Sequence, residues 1–309
     1  MVHPASSPAL HGLAVLTAAA TFCLIVVGAL VVGNQAGLAV PDWPLSFGTW
    51  MPPMVGGVFY EHGHRLVAAT VGLLTTVLAL WLWRSEPRPW VRRLGWIGLT
   101  AVILQGVLGG ITVLYQLPTA VVVAHACLAQ LFFCLALSLA VFTGRSWNLS
   151  DTPVPPVEDR QAPPFRRLCA ATTAALLLQL ALGAALRHQA LDVIPHLFGA
   201  AAVSILVGWT VVRAMSQIPE QEPLQRLALT MGILLVVQLS LGGVSYAARV
   251  LHTGSAGLDP AVIWTTTAHV AVGALALGTS WVLTLLSYRR LAAPHRAPSL
   301  RESPQKSPA

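Results

Sequence analysis

Eight long apolar runs separated by short polar connections dominate the chain, at roughly residues 11–33, 62–83, 94–114, 120–142, 169–187, 195–215, 227–247 and 262–287. Each approaches the length of about 20 apolar residues that crosses a bilayer as an α-helix. The pattern predicts an all-α integral membrane protein with eight transmembrane helices. Halfway along, segment 144–168 is polar and proline-rich, with Pro153, Pro155, Pro156, Pro163 and Pro164. It reads as a linker between an N-terminal four-helix half (1–143) and a C-terminal four-helix half (169–288). The polar tail 289–309 reads as disordered.

Composition supports this. Of 309 residues, 55% are hydrophobic and 9% are charged, and the mean hydropathy is +0.70. A soluble domain carries about 25% charged residues, so a water-exposed globule of this size is excluded. The net charge of +7 does not signal nucleic acid, because the basic residues sit in clusters between apolar runs. Fifteen Lys and Arg fall on one set of connections and the tail, against Arg65, Arg187 and Arg249 on the other side. The positive-inside rule puts the fifteen, and hence both termini, in the cytoplasm of a bacterial plasma membrane. No Lys or Arg precedes the first run, which argues against a cleaved signal or transit peptide. Cys23, Cys127, Cys134 and Cys169 form no CxxC pair, so neither a disulfide framework nor a zinc site is supported.

The two halves resemble each other. Gln105-Gly106-Val107-Leu108-Gly109-Gly110 matches Gln238-Leu239-Ser240-Leu241-Gly242-Gly243 at an offset of 133, and His64 matches His196 at 132. His125 and His269 are 144 apart, which fits a longer outer loop before the last helix. Two four-helix units that insert in the same direction are related by a pseudo-two-fold axis along the membrane normal.

His64, His125, His196 and His269 lie inside the even-numbered helices. The first cytoplasmic arginines after them, Arg84, Arg145, Arg213 and Arg289, follow by 20, 20, 17 and 20 residues. Twenty residues of helix span about 30 Å, so all four imidazoles lie near the outer edge of the apolar slab. Buried polar rings at one depth mark a functional site. A bare metal would require further Cys, Asp or Glu at ligand spacing, and the runs offer no such set, whereas bis-histidine haem needs two imidazoles and an apolar slot. Ala68, Ala129, Ala200 and Gly273, one turn deeper, are candidates for that slot.

The halves differ in one respect. Glu61 stands three residues before His64, and the repeat puts Val193 at the equivalent place. A carboxylate on that helix face, desolvated beside whatever His64 binds, is suited to proton transfer through a raised pKa; pairing with Arg65 is the simpler reading. Arg65, Arg187 and Arg249 are candidate partners for haem propionates, although interfacial snorkelling accounts for them as well. His62, His188 and His252 are outer-side reserves for a ligand role.

Glu61-x-x-His64-Arg65 resembles the glutamate–histidine–arginine motif of the haem A synthase family, which includes a mitochondrial assembly factor. The loop Ala36–Leu45 is similar to that family's first outer loop, and the similarity extends over roughly residues 12–288. The resemblance implies oxidation of the C8 methyl of haem O to a formyl group by stepwise hydroxylation, giving haem A for cytochrome oxidase. It implies that His64 and His125 face the substrate haem, that His196 and His269 ligate a haem b cofactor, and that Glu61 is the catalytic carboxylate. It also implies haem O synthase, a protohaem farnesyltransferase, as supplier, and an electron acceptor that the residues do not identify; the oligomeric state, a homo-oligomer included, is not written in them either. Many bacterial members carry a cysteine pair where this chain has Val40 and Ser46, so a thiol relay through the loop is in doubt. Two other readings compete: a dihaem electron carrier, which has no need of Glu61, and a transporter built from parallel repeats.

Overall fold

The computed structural model describes residues 7–148, 157–159, 162–218, 221–251 and 259–292. His252, Arg160 and the tail beyond Ala292 lie outside these residues. Eight of the described helices are long and apolar enough to span a membrane: α1 Pro8–Gly33, α2 Gly56–Ser85, α3 Pro89–Leu114, α4 Thr119–Thr143, α6 Phe165–Arg187, α7 Val193–Gln217, α8 Glu222–Leu251 and α9 Pro260–Arg290. The chain is a multi-pass membrane protein. A single turn, α5 Arg145–Asn148, follows α4.

Each helix matches an apolar run, and most extend a turn or so beyond it. The extensions come from capping. Pro8, Pro89 and Pro260 occupy first-turn positions, where a missing N–H costs nothing. Ser7, Asp192 and Asp259 accept the first free N–H groups of α1, α7 and α9. Helices α1, α3 and α6 end in the same way. Gln35, Gln116 and Gln189 take positive φ, and paired N–H bonds run back from Ala36 to Val31, Leu117 to Thr112 and Ala190 to Ala185. This is the Schellman arrangement, here with glutamine at the position usually filled by glycine.

Packing separates two clusters. Leu10, Ala14, Leu78, Leu82, Val91, Leu139 and Phe142 gather α1 to α4. Leu176, Val203, Val207, Ala228, Met231, Leu277 and Leu283 gather α6 to α9, with Cys134 of α4 against them. Ile25, Phe133 and Ala274 fill the seam, where α1 and α4 meet α9. Gly278 allows that approach, since a Cβ there would come 2.8 Å from Leu137 Cδ1. Trp281 Nε1 donates to Ser138 Oγ at 2.8 Å across the seam, and Thr173 bonds Ser280 at 2.7 Å inside the second cluster. Such small-residue contacts and hydroxyl bonds join helices where lipid removes the hydrophobic drive.

The linker is not merely a tether. Val157–Glu158 pairs in parallel with Leu291–Ala292, immediately after α9. Asp159 and Arg213 are both buried, 3.8 Å apart. Linker and last helix are thus held together at the arginine-rich end of the bundle.

Candidate functional site

The four predicted histidines sit on α2, α4, α7 and α9, and the structure gives all four one environment. Each ring rests against a glycine of the preceding helix. A Cβ built on Gly28 would stand 3.2 Å from His64 Cε1, and one on Gly109 would stand 3.4 Å from His125 Cε1. Gly183 and Gly242 would each approach Cε1 of His196 and His269 at 3.1 Å. At Gly28, Gly183 and Gly242 a Cβ would crowd the imidazole, and at Gly109 it would just touch it, so the missing side chains form the cradles. Gly28, Gly109 and Gly183 lie five, five and four residues before the ends of their helices. The sequence placed the small residues on the histidines' own helices, one turn deeper. In the structure Gly273 makes room for the Gln238 amide, 3.1 Å from where its Cβ would be, and Ala129 packs in the seam.

His196 and His269 face each other with ring centroids 6.4 Å apart. That separation matches two metal–nitrogen bonds of about 2 Å plus the reach from each ring centre to its nitrogen, while both His269 nitrogens are here engaged by Gln238. All four rings are half-buried. Among the described residues no three His, Cys, Asp or Glu gather as a bare ion would need, so the donor set fits a paired-imidazole group held in apolar walls.

Three glutamines complete the environment. Gln105 Nε2 lies 3.3 Å from His125 Nε2 and 3.0 Å from the His125 carbonyl oxygen. Gln179 Nε2 lies 3.1 Å from His196 Nδ1 and donates to the His196 carbonyl at 2.9 Å. Gln238 Nε2 is 3.2 Å from His269 Nε2, while the Gln238 carbonyl lies 3.2 Å from His269 Nδ1. Sequence reasoning used two of these glutamines only as repeat markers and missed Gln179. The signal was Gln-x-x-x-Gly, present at 105, 179 and 238.

The first half also carries a roof. Glu61, 4% exposed, binds Arg65 Nη2 through Oε1 at 2.6 Å and accepts the Val40 N–H on Oε2 at 2.8 Å. Arg65 Nη1 donates to the carbonyls of Asp42 and Leu45, both at 2.8 Å. His62, a reserve ligand in the sequence reading, is buried with Nδ1 2.8 Å from Ser46 Oγ. Val40 and Ser46 are therefore tied to α2 without a covalent link. Asp42 accepts the N–H groups of Phe47 and Gly48, which hold its carboxyl below the ordinary carboxylate range, the Gly48 bond most strongly. Trp43 lies flat on α3, where a Cβ at Gly110 would come within 2.7 Å of its ring. The loop between α1 and α2 thus reaches across the mouth of the first half.

Arg187 and Arg249 converge at the seam. With Gly33, Gln35, Asp259 and Thr266 they line a cavity of about 360 Å³. His188, just beyond Arg187, has its imidazole pKa lowered by burial and then by the Arg187 charge.

The profile of a family described as cytochrome oxidase assembly protein (COX15-CtaA) matches residues 54–193, which carry Glu61, His64, Arg65 and His125. A protein of Symbiobacterium thermophilum named haem A synthase is 28% identical over 283 residues, covering 80% of this chain and 90% of that protein. Over these residues the chain is similar to the COX15-CtaA family. Shorter matches join the chain to other proteins named haem A synthase. That of Bacillus licheniformis is 29% identical over 47% of this chain and 49% of its own length. That of Roseobacter denitrificans is 34% identical over 40% and 35%. The residues matched by the family thus include the carboxylate, its arginine and the first histidine pair.

Proposed function

We propose that the chain is a haem A synthase, an oxidoreductase that converts the C8 methyl of haem O to a formyl group for cytochrome c oxidase. The observation that carries the proposal is the facing of His196 and His269 at 6.4 Å, repeated as glycine-cradled imidazoles in the other half. His196 and His269 would hold haem b, which when bound supplies an outlet for electrons. His64 and His125 orient the substrate, and the loop from Val40 to Ser46 covers the reacting edge. With water as the oxygen source, methyl to aldehyde (–CH3 + H2O to –CHO + 4 H+ + 4 e−) releases four electrons in two steps through an alcohol, to an acceptor outside this chain. Glu61 accepts the protons on a carboxylate oxygen, where each oxygen retains a lone pair beside its present partner. Arg187 and Arg249 face propionates at the seam. Arg65, assigned with them from sequence, serves mainly as the strut between Glu61 and the loop.

The halves 1–143 and 169–288 are then related by a two-fold axis along the membrane normal, with linker 144–168, tail 289–309 and both termini on the cytoplasmic side of the plasma membrane. Haem O synthase is the natural donor of substrate. The test is pigment extraction from cells that co-express the chain with a haem O producer. Haem A should accumulate, and the purified chain should contain protohaem that is depleted by His196→Ala or His269→Ala. Haem without haem A formation would favour an electron carrier, and a colourless chain would refute both readings.

A further inference from the structure

Gly109 and Gly110 are consecutive on α3, and each receives a ring from elsewhere in the first half: His125 lies on Gly109 and Trp43 on Gly110. Gly110 is four residues before the end of α3, so the indole reaches about 6 Å below the helix end, to the level of His125. A Cβ at Gly110 would come within 2.7 to 3.0 Å of indole Cδ2, Cε2 and Cε3, so one flat face of the ring is spent on the helix. Even there Trp43 remains 39% exposed. Its backbone is gripped from both sides, because Arg65 Nη1 donates to the carbonyls of Asp42 and Leu45, both at 2.8 Å. The same guanidinium binds Glu61, so one side chain sets both the carboxylate and the indole.

The second half has no equivalent among the described residues. Gly243, the repeat counterpart of Gly110, meets nothing within 4 Å. Residues 188–192 alone join α6 to α7, where residues 34–55 join α1 to α2. Helix packing at this place therefore does not require an aromatic ring, and the one present stands in the half that carries Glu61.

We propose that Trp43 is a substrate-binding residue: its uncovered indole face stacks on the planar macrocycle beside His125 and holds it between the two oxidation steps. The inference rests on the haem reading and adds to it a contact that decides the product. An alcohol that leaves after the first step is not carried on to the aldehyde, so whatever retains the macrocycle sets the ratio of the two. Stacking of aromatic rings gains about 2- to 10-fold in affinity beyond the area it buries.

Two measurements on the full-length protein test this. The first is turnover of haem O by Trp43→Ala and Trp43→Phe, with extracted pigments separated into alcohol and aldehyde. Trp43→Ala should raise KM by about 10-fold and shift the products toward the alcohol, and Trp43→Phe should restore most of both. An unchanged KM and product ratio in Trp43→Ala would overturn the proposal, whatever its melting temperature. The second needs neither turnover nor a variant: hydroxyl-radical labelling read by mass spectrometry, with and without gallium protoporphyrin, a planar ligand that does not change oxidation state. Trp43 should be protected, while Trp50 of the same loop, 81% exposed, should label equally in both. Unchanged labelling of Trp43 would also overturn the stack. Protection of Trp43 in a chain that makes no haem A would keep the stack and overturn the synthase reading.

Discussion

Replacing Glu61 with glutamine separates the carboxylate as a chemical group from the carboxylate as a strut. The amide oxygen can still accept the Val40 N–H, now 2.8 Å from Oε2, but the charge facing Arg65 at 2.6 Å is lost. Removing one partner of a buried ion pair costs about 3–5 kcal/mol when the other is stranded. Arg65 is not stranded, because the carbonyls of Asp42, Leu45 and Val40 remain as acceptors. The cost should therefore fall to the range of a lost buried hydrogen bond, about 1–3 kcal/mol. At roughly 2 °C per kcal/mol for a chain of this size, the melting temperature in detergent should drop by about 2–6 °C. A general base contributes about 10²–10⁴-fold, so haem A output from extracted pigments should fall at least about 100-fold while resident haem stays. Arg65→Gln loosens the same roof but keeps the carboxylate, so it should melt lower yet retain measurable output. Normal haem A from Glu61→Gln would refute the proton role. Equal inactivity of the two variants at normal haem content would assign the effect to the roof.

Three further outcomes are expected. Gly242→Ala puts a Cβ 3.1 Å from His269 Cε1; the ring must shift, and the resident haem should show a weakened low-spin absorbance, unlike Gly243→Ala, whose Cβ meets nothing within 4 Å. Gly110→Ala would overlap the Trp43 ring at 2.7 Å; overpacking of this kind costs about 1–3 kcal/mol, and limited proteolysis should cut the loop between α1 and α2 faster. His188 binds its proton less readily when folded than when unfolded, so stability should fall as pH drops below the ordinary histidine pKa of 6.5 and level off below the lowered value. Melting curves at pH 8 and pH 5.5 should show that loss in the parent and a smaller one in His188→Gln.

Much of this was readable in the residues for a physical reason: a bilayer imposes length and apolarity directly on sequence. All eight spans were recovered, with errors confined to helix ends, where Pro8, Asp192 and Asp259 add turns that hydropathy alone does not register. The histidines stood out because polar rings in apolar runs are costly. The Glu61–Arg65 pair was also anticipated, because four residues apart on a helix means neighbours.

The contacts between helices were another matter. Nothing local to Gly28 or Gly183 says that an imidazole from the next helix lies on it. Position 273 illustrates the difficulty: nothing on its own helix says that the Gln238 amide of α8 lies against it. The loop from Val40 to Ser46 could be recognised by resemblance, but its attachment to Glu61, His62 and Arg65 follows from the fold of the connection over α2 and α3. Sequence alone determined which segments enter the membrane and which polar groups they carry in, because transfer free energy is summed residue by residue along a helix. Only the tertiary structure decided which of those groups face one another, because helix rotation and separation are set by close packing between residues distant in the chain.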